Sequence, residues 1–127
     1  MKHVCNTLTL LDGHFRMAVV TTSKAEHFEL MHRRSGLLEF FEFVITREDY
    51  ERSKPDPEPY IVALRRLQLT AKQCVAIEDS ERGLAAASGA SLRCIVVPSA
   101  LTQGGHFDKA AAVLGSVSAL PEALKFL

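Results

Sequence analysis

The stretch Cys74–Ala90, CVAIEDSERGLAAASGA, contains the pattern that decides the fold. Its first five residues, CVAIE, have the length and the apolar composition of a buried strand. Ser80 follows at a position typical of a helix N-cap, and the alanine-rich run after it predicts a short helix. Gly89 is expected to lie just past the end of that helix, where glycine is common. A buried strand that leads directly into a helix is typical of parallel α/β proteins.

The same alternation of short apolar runs and amphipathic stretches extends over the rest of the chain. Four further strands are predicted at Met17–Thr22, Phe43–Thr46, Arg93–Val97 and Ala111–Leu114. Further helices are predicted from a capping box at Ser23–Glu26 to about Arg34, from Asp56-Pro57 to about Leu67, and from Ser118 to near Leu127. This alternation indicates a mostly parallel sheet with helices on both faces. Residues 1–127 are therefore expected to form a single α/β domain.

The first twelve residues fit two different patterns. Val4, Leu8 and Leu11 would lie on one face of a helix, whereas residues 7–10 alternate as they would in a strand. Asp12-Gly13 suits either a hairpin turn or the end of a helix. The residue pattern by itself leaves both alternatives open.

The composition is that of an ordinary soluble domain. Of the 127 residues, 47% are hydrophobic and 24% are charged, and 15 basic side chains balance 15 acidic ones. This balance gives no indication of a nucleic acid or an anionic membrane as partner. Cys5, Cys74 and Cys94 are widely spaced and the five histidines show no ligand spacing, so neither a disulfide framework nor a zinc site is predicted. Reduced thiols and the lack of a long apolar run indicate a cytoplasmic protein.

Polar residues cluster at three places that the predicted sheet would bring together. Thr21-Thr22 and Glu78-Asp79 each lie where a predicted strand ends, and Lys54 precedes the helix that leads into the second of these strands. In an open parallel sheet, ligands bind beyond the carboxyl ends of the strands. Hydroxyl and N–H groups bind phosphate oxygens, an ammonium offsets their charge, and carboxylates bind Mg²⁺. Each feature alone also fits a structural role, as a helix cap, a solvated turn lysine or an acidic pair facing a helix dipole.

The order of these features resembles a known family. VVTTSK, SKPDPEPY and AIEDSERGLAAASGA are similar to the second, third and fourth motifs of haloacid dehalogenase-like hydrolases, nearest to the branch of phosphoglycolate phosphatase and β-phosphoglucomutase. The resemblance covers about residues 4 to 126. It implies a three-layer Rossmann-like core and a magnesium-dependent phosphatase or phosphomutase that acts on a small phosphorylated metabolite. In that reaction an aspartate attacks a phosphate monoester, and the aspartyl phosphate is then hydrolysed or transferred.

The resemblance also implies a role for each residue of the predicted site. Thr21 would bind the transferring phosphoryl group through its hydroxyl, and Thr22 through its backbone N–H. Lys54 would bridge the nucleophile and the phosphate and stabilise the charge that develops there. Asp79 would be a direct magnesium ligand, and Glu78 an acidic neighbour that acts directly or through water. Gly83 would let its helix pack close to the sheet.

One part of the family pattern is not found. The first motif, Asp-x-Asp at the end of the first strand, supplies the nucleophile and the general acid/base, and no Asp-x-Asp occurs in the 127 residues. The nearest candidate has His14 in place of the second aspartate, and Asp12 is expected to be a turn residue. The resemblance instead puts residues 4–12 on the helix that returns from the family's cap. The chain is therefore expected to be a truncated member that lacks the first strand, binds Mg²⁺ weakly or not at all, and is inactive alone.

The missing strand has a structural consequence. In the family it lies between Met17–Thr22 and Cys74–Glu78, so these two strands would lose their shared neighbour. Long apolar strand edges promote association. We therefore expect either a homodimer or soluble aggregate formed through the unpaired edges, or direct pairing of the two strands in a narrowed sheet.

Two other classes of function fit part of the pattern. A non-catalytic phosphate-binding or assembly module derived from the same family would keep the phosphate site without the nucleophile. A receiver-like signalling domain also combines acids, a threonine and a lysine on a doubly wound fold. In a receiver domain the acidic pair follows the first strand and the lysine follows the last strand. The order of these residues in this chain is different.

Overall fold

A computed structural model describes residues 2–127 and contains five strands and five α-helices in that range. The strands are β1 (Val19–Val20), β2 (Val44–Ile45), β3 (Val75–Glu78), β4 (Arg93–Val96) and β5 (Ala112–Val113). The α-helices are α1 (Lys2–Leu11), α2 (Ala25–His32), α3 (Glu58–Leu67), α4 (Glu81–Gly89) and α5 (Leu120–Leu124). All five strands lie where the sequence predicts them, although β1, β2 and β5 are shorter than expected.

The strands are parallel and form two separate sheets. β1 pairs with β2 in the register Val19 with Val44, and β3 pairs with β4, which in turn pairs with β5. Within residues 2–127 no pairing joins β1 to β3. The alternative in which these two strands pair directly in a narrowed sheet is therefore wrong for this structure. α3 contacts β1 and β2, and α4 contacts β3 and β4. Parallel strands that alternate with packed helices confirm the predicted Rossmann-like α/β fold.

The opening segment is helical, which decides between the two patterns that its sequence allows. α1 ends at Leu11, and a turn with Gly13 at φ 84° follows, so Asp12 lies in a turn as expected. Thr7 is buried, and its hydroxyl donates to the His3 carbonyl at 2.9 Å. α1 packs against α5 and the short helical turn Val117–Ala119.

The predicted capping box at the start of α2 does not form. Lys24 occupies the N-cap position without a side-chain hydrogen bond, and the Glu48 carboxylate accepts instead from the Ala25 N–H at 3.0 Å. Ser23 is held at the end of β1, because its N–H donates to the Thr21 hydroxyl and its carbonyl accepts from the Arg47 N–H. The 3₁₀ helix Arg47–Asp49 therefore supplies the cap that the local sequence predicts for Ser23–Glu26.

Helix α4 begins as predicted but ends differently. The Ser80 hydroxyl accepts from the Gly83 N–H at 3.1 Å, as an N-cap should. Gly89 is the last helical residue and does not lie past the end; the left-handed residue is Ser91, at φ 64°. Gly89 has a different reason to be small, because a Cβ there would lie 3.2 Å from the Pro57 Cβ.

The remaining helix ends show smaller shifts. The Asp56 carboxylate accepts from the Glu58 N–H at 2.9 Å. α3 begins at Glu58, one residue after the predicted first-turn proline Pro57, and ends at Leu67 as expected. Ser116 caps the 3₁₀ turn Val117–Ala119, because its hydroxyl accepts from the Ser118 N–H. The last helix, predicted from Ser118, begins after this turn at Leu120 and ends at Leu124. Within residues 2–127, no helix has the length and hydrophobicity that crossing a bilayer requires.

The main core lies between α3, α4 and the β3–β4 pair. Its buried residues are Tyr60, Ala76, Leu84, Ala86, Ala87, Leu92, Cys94 and Val96. Small residues on α4 allow a close approach of this helix to β3. A Cβ on Gly83 would lie 1.8 Å from the Glu78 Oε1, so the expectation that Gly83 permits close packing on the sheet is confirmed.

Candidate functional site

A cavity of about 430 Å³ lies at the carboxyl ends of β1 and β3. The residues that line it are Val20, Thr21, Thr22, Lys54, Ile77, Glu78, Asp79, Val97 and Val117. All five residues predicted for the site are among them. The carboxyl ends of parallel strands are where an open α/β sheet binds its ligands, so the position agrees with the sequence-based expectation.

The turn after β1 is fixed by hydrogen bonds on both sides. The Thr21 N–H donates to the Ile45 carbonyl at 2.9 Å, and the Thr21 carbonyl accepts from the Tyr50 hydroxyl at 3.0 Å. The Thr21 hydroxyl accepts from the Ser23 N–H at 3.1 Å, which leaves its own hydrogen available to an acceptor. Thr22 is exposed beside it. The turn therefore presents a hydroxyl donor to the cavity from a rigid backbone.

Lys54 connects the two sheets across the site. Its ammonium donates to the Glu78 Oε2 at 2.6 Å and to the Val20 carbonyl at 3.1 Å. The side chains of this ion pair are only 12% and 7% exposed. The Lys54 carbonyl accepts from the Arg82 guanidinium at 2.7 Å, which holds the backbone of the lysine against the start of α4. Two of the three ammonium hydrogens are used in this way, and one remains for a ligand.

Tyr60, on the first turn of α3, is a site residue that sequence reasoning missed. Its hydroxyl donates to the same Oε2 of Glu78, and its ring centroid lies 5.2 Å from the Lys54 ammonium, within cation–π distance. Burial, together with the Glu78 carboxylate, raises the pKa of Tyr60 well above its ordinary value, so the hydroxyl stays protonated. Tyr60 is the last residue of the SKPDPEPY segment. Its position on the buried face of α3 could have indicated that it contacts the site.

The acidic residues form an incomplete shell for Mg²⁺. Asp79 is exposed at the end of β3, whereas the Oε2 of Glu78 already accepts from Lys54 and Tyr60 and its Oε1 lies against Gly83. In the part of the chain that the structure describes, no three His, Cys, Asp or Glu residues are grouped so as to hold a metal. Mg²⁺ requires a nearly octahedral shell of oxygens. One accessible carboxylate, that of Asp79, fits this requirement only in small part.

The three cysteines are free thiols and are not among the residues that line the polar cavity. Burial raises the pKa of Cys94 to about 12 and also raises the pKa of Cys74. A thiol of raised pKa carries little thiolate at neutral pH and is a poor nucleophile.

Next to the polar cavity, a larger groove separates β1 from β3. Its volume is about 750 Å³, and most of its walls are apolar side chains from α1, α3, α5 and the two strands. If a closed apolar void of this size stayed empty, at about 24 cal/mol per Å³ it would cost about 18 kcal/mol. A typical domain has a total stability of about 5–15 kcal/mol. The groove is therefore open to solvent or occupied in the stable state.

Comparisons with known proteins agree on one family. The family model described as haloacid dehalogenase-like hydrolase matches residues 1–97. Protein CbbY of Cereibacter sphaeroides is 37% identical over 108 residues, which are 83% of this chain and 47% of that protein. The putative phosphatase YhcW of Bacillus subtilis is 39% identical over 70 residues, which are 55% of this chain and 32% of that protein. The chain thus spans about half the length of CbbY and a third of YhcW.

Solved structures give the same result. The crystal structure of CbbY from Rhodobacter sphaeroides in complex with phosphate matches with a TM-score of 0.85 and 34% identity, over 93% of this chain and 54% of that one. A putative β-phosphoglucomutase from Thermotoga maritima matches with a TM-score of 0.89 over 100% of this chain and 60% of that one; at 24% identity it supports the fold alone. The chain belongs to the haloacid dehalogenase-like hydrolases.

Proposed function

We propose that the cavity binds the phosphate of a small phosphorylated metabolite, and that these residues are the phosphate-binding part of a magnesium-dependent phosphatase or phosphomutase. The observation that carries the proposal is the convergence of Thr21, Thr22, Lys54 and Asp79 on one cavity. The relatives support the same class, because YhcW is described as a putative phosphatase and CbbY was crystallised with phosphate.

The hydrogen-bonding capacity of the site matches a phosphate group. The Thr21 hydroxyl has its hydrogen available, the Thr22 N–H lies in the same turn, and the third hydrogen of the Lys54 ammonium is unused by Glu78 and Val20. Together these are three donors, one of them charged. Charge-assisted hydrogen bonds are roughly twice as strong as neutral ones, so Lys54 contributes the largest share of phosphate binding.

In this proposal Mg²⁺ contributes less to phosphate binding than it does in the family, because only one carboxylate is available to hold it. When bound, the ion would neutralise charge on the phosphate oxygens, and Asp79 is the residue that would hold it. Glu78 is committed to Lys54 and Tyr60, and its proposed role is to position the ammonium. The chain's own residues thus bind and orient the phosphate.

Titration calorimetry with inorganic phosphate tests the proposal. Lys54→Ala should weaken phosphate binding at least tenfold, because it removes the one cation of the cavity. Lys109→Ala is the matched control, since Lys109 is exposed and lies outside the cavity lining, and it should bind phosphate like the unsubstituted chain. Equal affinity in the two variants would remove the basis of the phosphate site.

A non-catalytic phosphate-binding or assembly module is the second candidate. The observation that favours it is that no Asp-x-Asp occurs in the 127 residues, so the family's nucleophile has no counterpart among them. These residues alone should show no turnover of phosphate monoesters above background, with or without magnesium. Steady hydrolysis that disappears in Lys54→Ala would contradict this expectation, and it would require another nucleophile, with Asp79 in the cavity and Asp12 as candidates.

A further inference from the structure

The turn after β1 is held from one side by a short segment, residues 47–50, which we call the clamp. The Arg47 N–H donates to the Ser23 carbonyl at 2.9 Å. The Glu48 carboxylate accepts from the Ala25 N–H at 3.0 Å. Both bonds come from one 3₁₀ helix, so the residues that leave the turn are fixed relative to that helix.

Tyr50 supplies the clamp contact that reaches the turn itself. Its hydroxyl donates to the Thr21 carbonyl at 3.0 Å. The tyrosine is buried and belongs to the core cluster of Ile45 and Ala63, and close packing restricts a buried ring to one orientation. The hydroxyl is therefore a rigid donor, and it fixes the backbone of Thr21 at the wall of the polar cavity.

The three clamp bonds engage every second residue of the turn. They use backbone groups of residues 21, 23 and 25, and none of them uses the N–H of Thr22, which is exposed and lines the cavity. They also leave the Thr21 hydroxyl hydrogen available, because that oxygen accepts from the Ser23 N–H. The clamp thus immobilises the turn without consuming the two donors proposed to bind phosphate.

The clamp is also tied to the loop that carries Lys54. The Arg47 guanidinium donates to the carbonyls of Tyr50 and Glu51 at 2.8 and 3.1 Å, and it lies 5.2 Å from the centroid of the Tyr50 ring. The Glu51 N–H donates to the Glu58 carboxylate at 2.6 Å, which anchors the same stretch to the start of α3. One continuous, hydrogen-bonded stretch therefore fixes the turn and then supplies the ammonium.

We infer that Tyr50 is a positioning residue for phosphate, which holds the Thr21 hydroxyl where it and the Lys54 ammonium can bind one phosphate group together. This inference rests on the proposed function. Donors from two segments bind one anion well only if their separation is set before binding, since ordering them afterwards costs affinity. Tyr50 is not among the residues that line the cavity, so its effect on the ligand passes through the turn.

Calorimetric titration with inorganic phosphate tests the inference in Tyr50→Phe, which removes the hydroxyl and keeps the ring. The affinity should fall about fivefold, as expected for the loss of one neutral hydrogen bond. The control is Leu92→Val, at a buried residue just before the amino end of β4, which weakens the core without touching the turn. It should bind phosphate like the unsubstituted chain. An equal loss in Leu92→Val would reflect stability alone and would overturn the inference.

Two backgrounds at Thr21 separate positioning from a structural role. In Thr21→Val the positioned hydroxyl is gone, so adding Tyr50→Phe should lower phosphate affinity about twofold or less. In Thr21→Ser the hydroxyl is kept, so adding Tyr50→Phe should again lower the affinity about fivefold. A fivefold loss in both backgrounds would mean that Tyr50 does not act through this hydroxyl, and the inference would be wrong.

Amide hydrogen exchange without phosphate distinguishes failure of the inference from failure of the proposed function. The Ser23 N–H donates to the Thr21 hydroxyl at 3.1 Å, so its exchange reports on the turn. Tyr50→Phe should accelerate this exchange severalfold, and Leu92→Val should leave it unchanged. Unchanged exchange in Tyr50→Phe, or phosphate binding of ordinary affinity, would overturn the inference and leave the phosphate site standing. If the unsubstituted chain binds no phosphate, the proposed function fails and the inference fails with it.

Discussion

The polar cavity and the apolar groove, which both lie between β1 and β3, differ in how their polar groups are hydrogen-bonded. At the carboxyl end, the Lys54 ammonium bonds the Val20 carbonyl of one sheet and the Glu78 carboxylate of the other, and Tyr60 completes the cluster. Along the groove, the backbone N–H and C=O groups of Ile77 turn toward a space that no strand of residues 2–127 fills. The comparison shows that one buried side-chain bridge keeps a polar site assembled while the backbone edges beside it stay open.

Removing the bridge should have the largest effect on stability. Lys54→Ala leaves the Glu78 carboxylate buried with one hydrogen-bond donor, and breaking a buried ion pair in this way costs about 3–5 kcal/mol. Urea denaturation should show this loss of unfolding free energy. The control is Lys125→Ala, because the Lys125–Glu122 pair is 69% and 72% exposed, and such pairs contribute at most about 1 kcal/mol. Equal effects of the two substitutions would mean that Lys54 does not hold the sheets together.

A double variant sharpens this prediction. Lys54→Met combined with Glu78→Gln removes both charges and nearly preserves the side-chain volumes. It should recover much of the stability that Lys54→Ala loses, because an uncompensated buried charge is costlier than an uncharged pair. If the double variant is as unstable as Lys54→Ala, packing and not charge holds the site together.

Tyr60 should give the bridge a pH dependence. Its folded-state pKa is raised above the ordinary 10.0, chiefly by burial and then by Glu78, so the protonated hydroxyl is favoured in the folded state. The stabilisation is fully present below pH 10 and is lost as the pH rises further, at about 1.4 kcal/mol per pH unit while only the unfolded tyrosine ionises. Tyr60→Phe should remove this part of the slope in denaturation curves above pH 10. It should also lower stability at neutral pH by about 1–3 kcal/mol, because Glu78 loses a hydrogen bond to a charged acceptor.

Cys94 also contributes to the loss of stability at alkaline pH, and the variant Cys94→Ala separates its contribution from that of Tyr60. Burial raises the pKa of Cys94 from 9.0 to about 12, so its contribution is also lost as the pH rises, beginning near pH 9. Cys94→Ala should flatten the curve from pH 9 upward, whereas Tyr60→Phe should flatten it only from pH 10. An unchanged slope in Tyr60→Phe would mean that the hydroxyl does not hold its proton against Glu78.

Local sequence patterns predicted the parts of the fold that depend on local interactions. The five strands and the Ser80 cap follow from apolar runs and capping chemistry, whereas the close packing at Gly83 was implied by the family resemblance. Motif order placed all five predicted site residues around one cavity. Their chemical roles remain predictions.

The predictions that failed depend on residues distant in the sequence. The start of α2 is capped by Glu48, which lies 23 residues from Ala25 in the 3₁₀ helix Arg47–Asp49. A Cβ at Gly89 would lie 3.2 Å from the Pro57 Cβ, so a small residue is needed there. The bridge to Tyr60 joins β3 to α3, which no local pattern encodes. Direct pairing of β1 with β3, one of the two outcomes expected for these strands, does not occur within residues 2–127.

Magnesium binding should show the smallest effect, and its affinity tests whether the polar cavity holds a complete set of Mg²⁺ ligands. Asp79 is the one accessible carboxylate in the cavity, since Glu78 is engaged by Lys54 and Tyr60. Mg²⁺ keeps its water shell unless several oxygens replace it, so calorimetric titration should find affinity in the millimolar range or weaker. Asp79→Asn should lower that affinity only a few-fold, and Asp108→Asn, at an exposed residue outside the cavity lining, should leave it unchanged. Micromolar binding that is lost in Asp79→Asn would show that further carboxylates reach the cavity, supplied by a rearranged Glu78 or by a second chain.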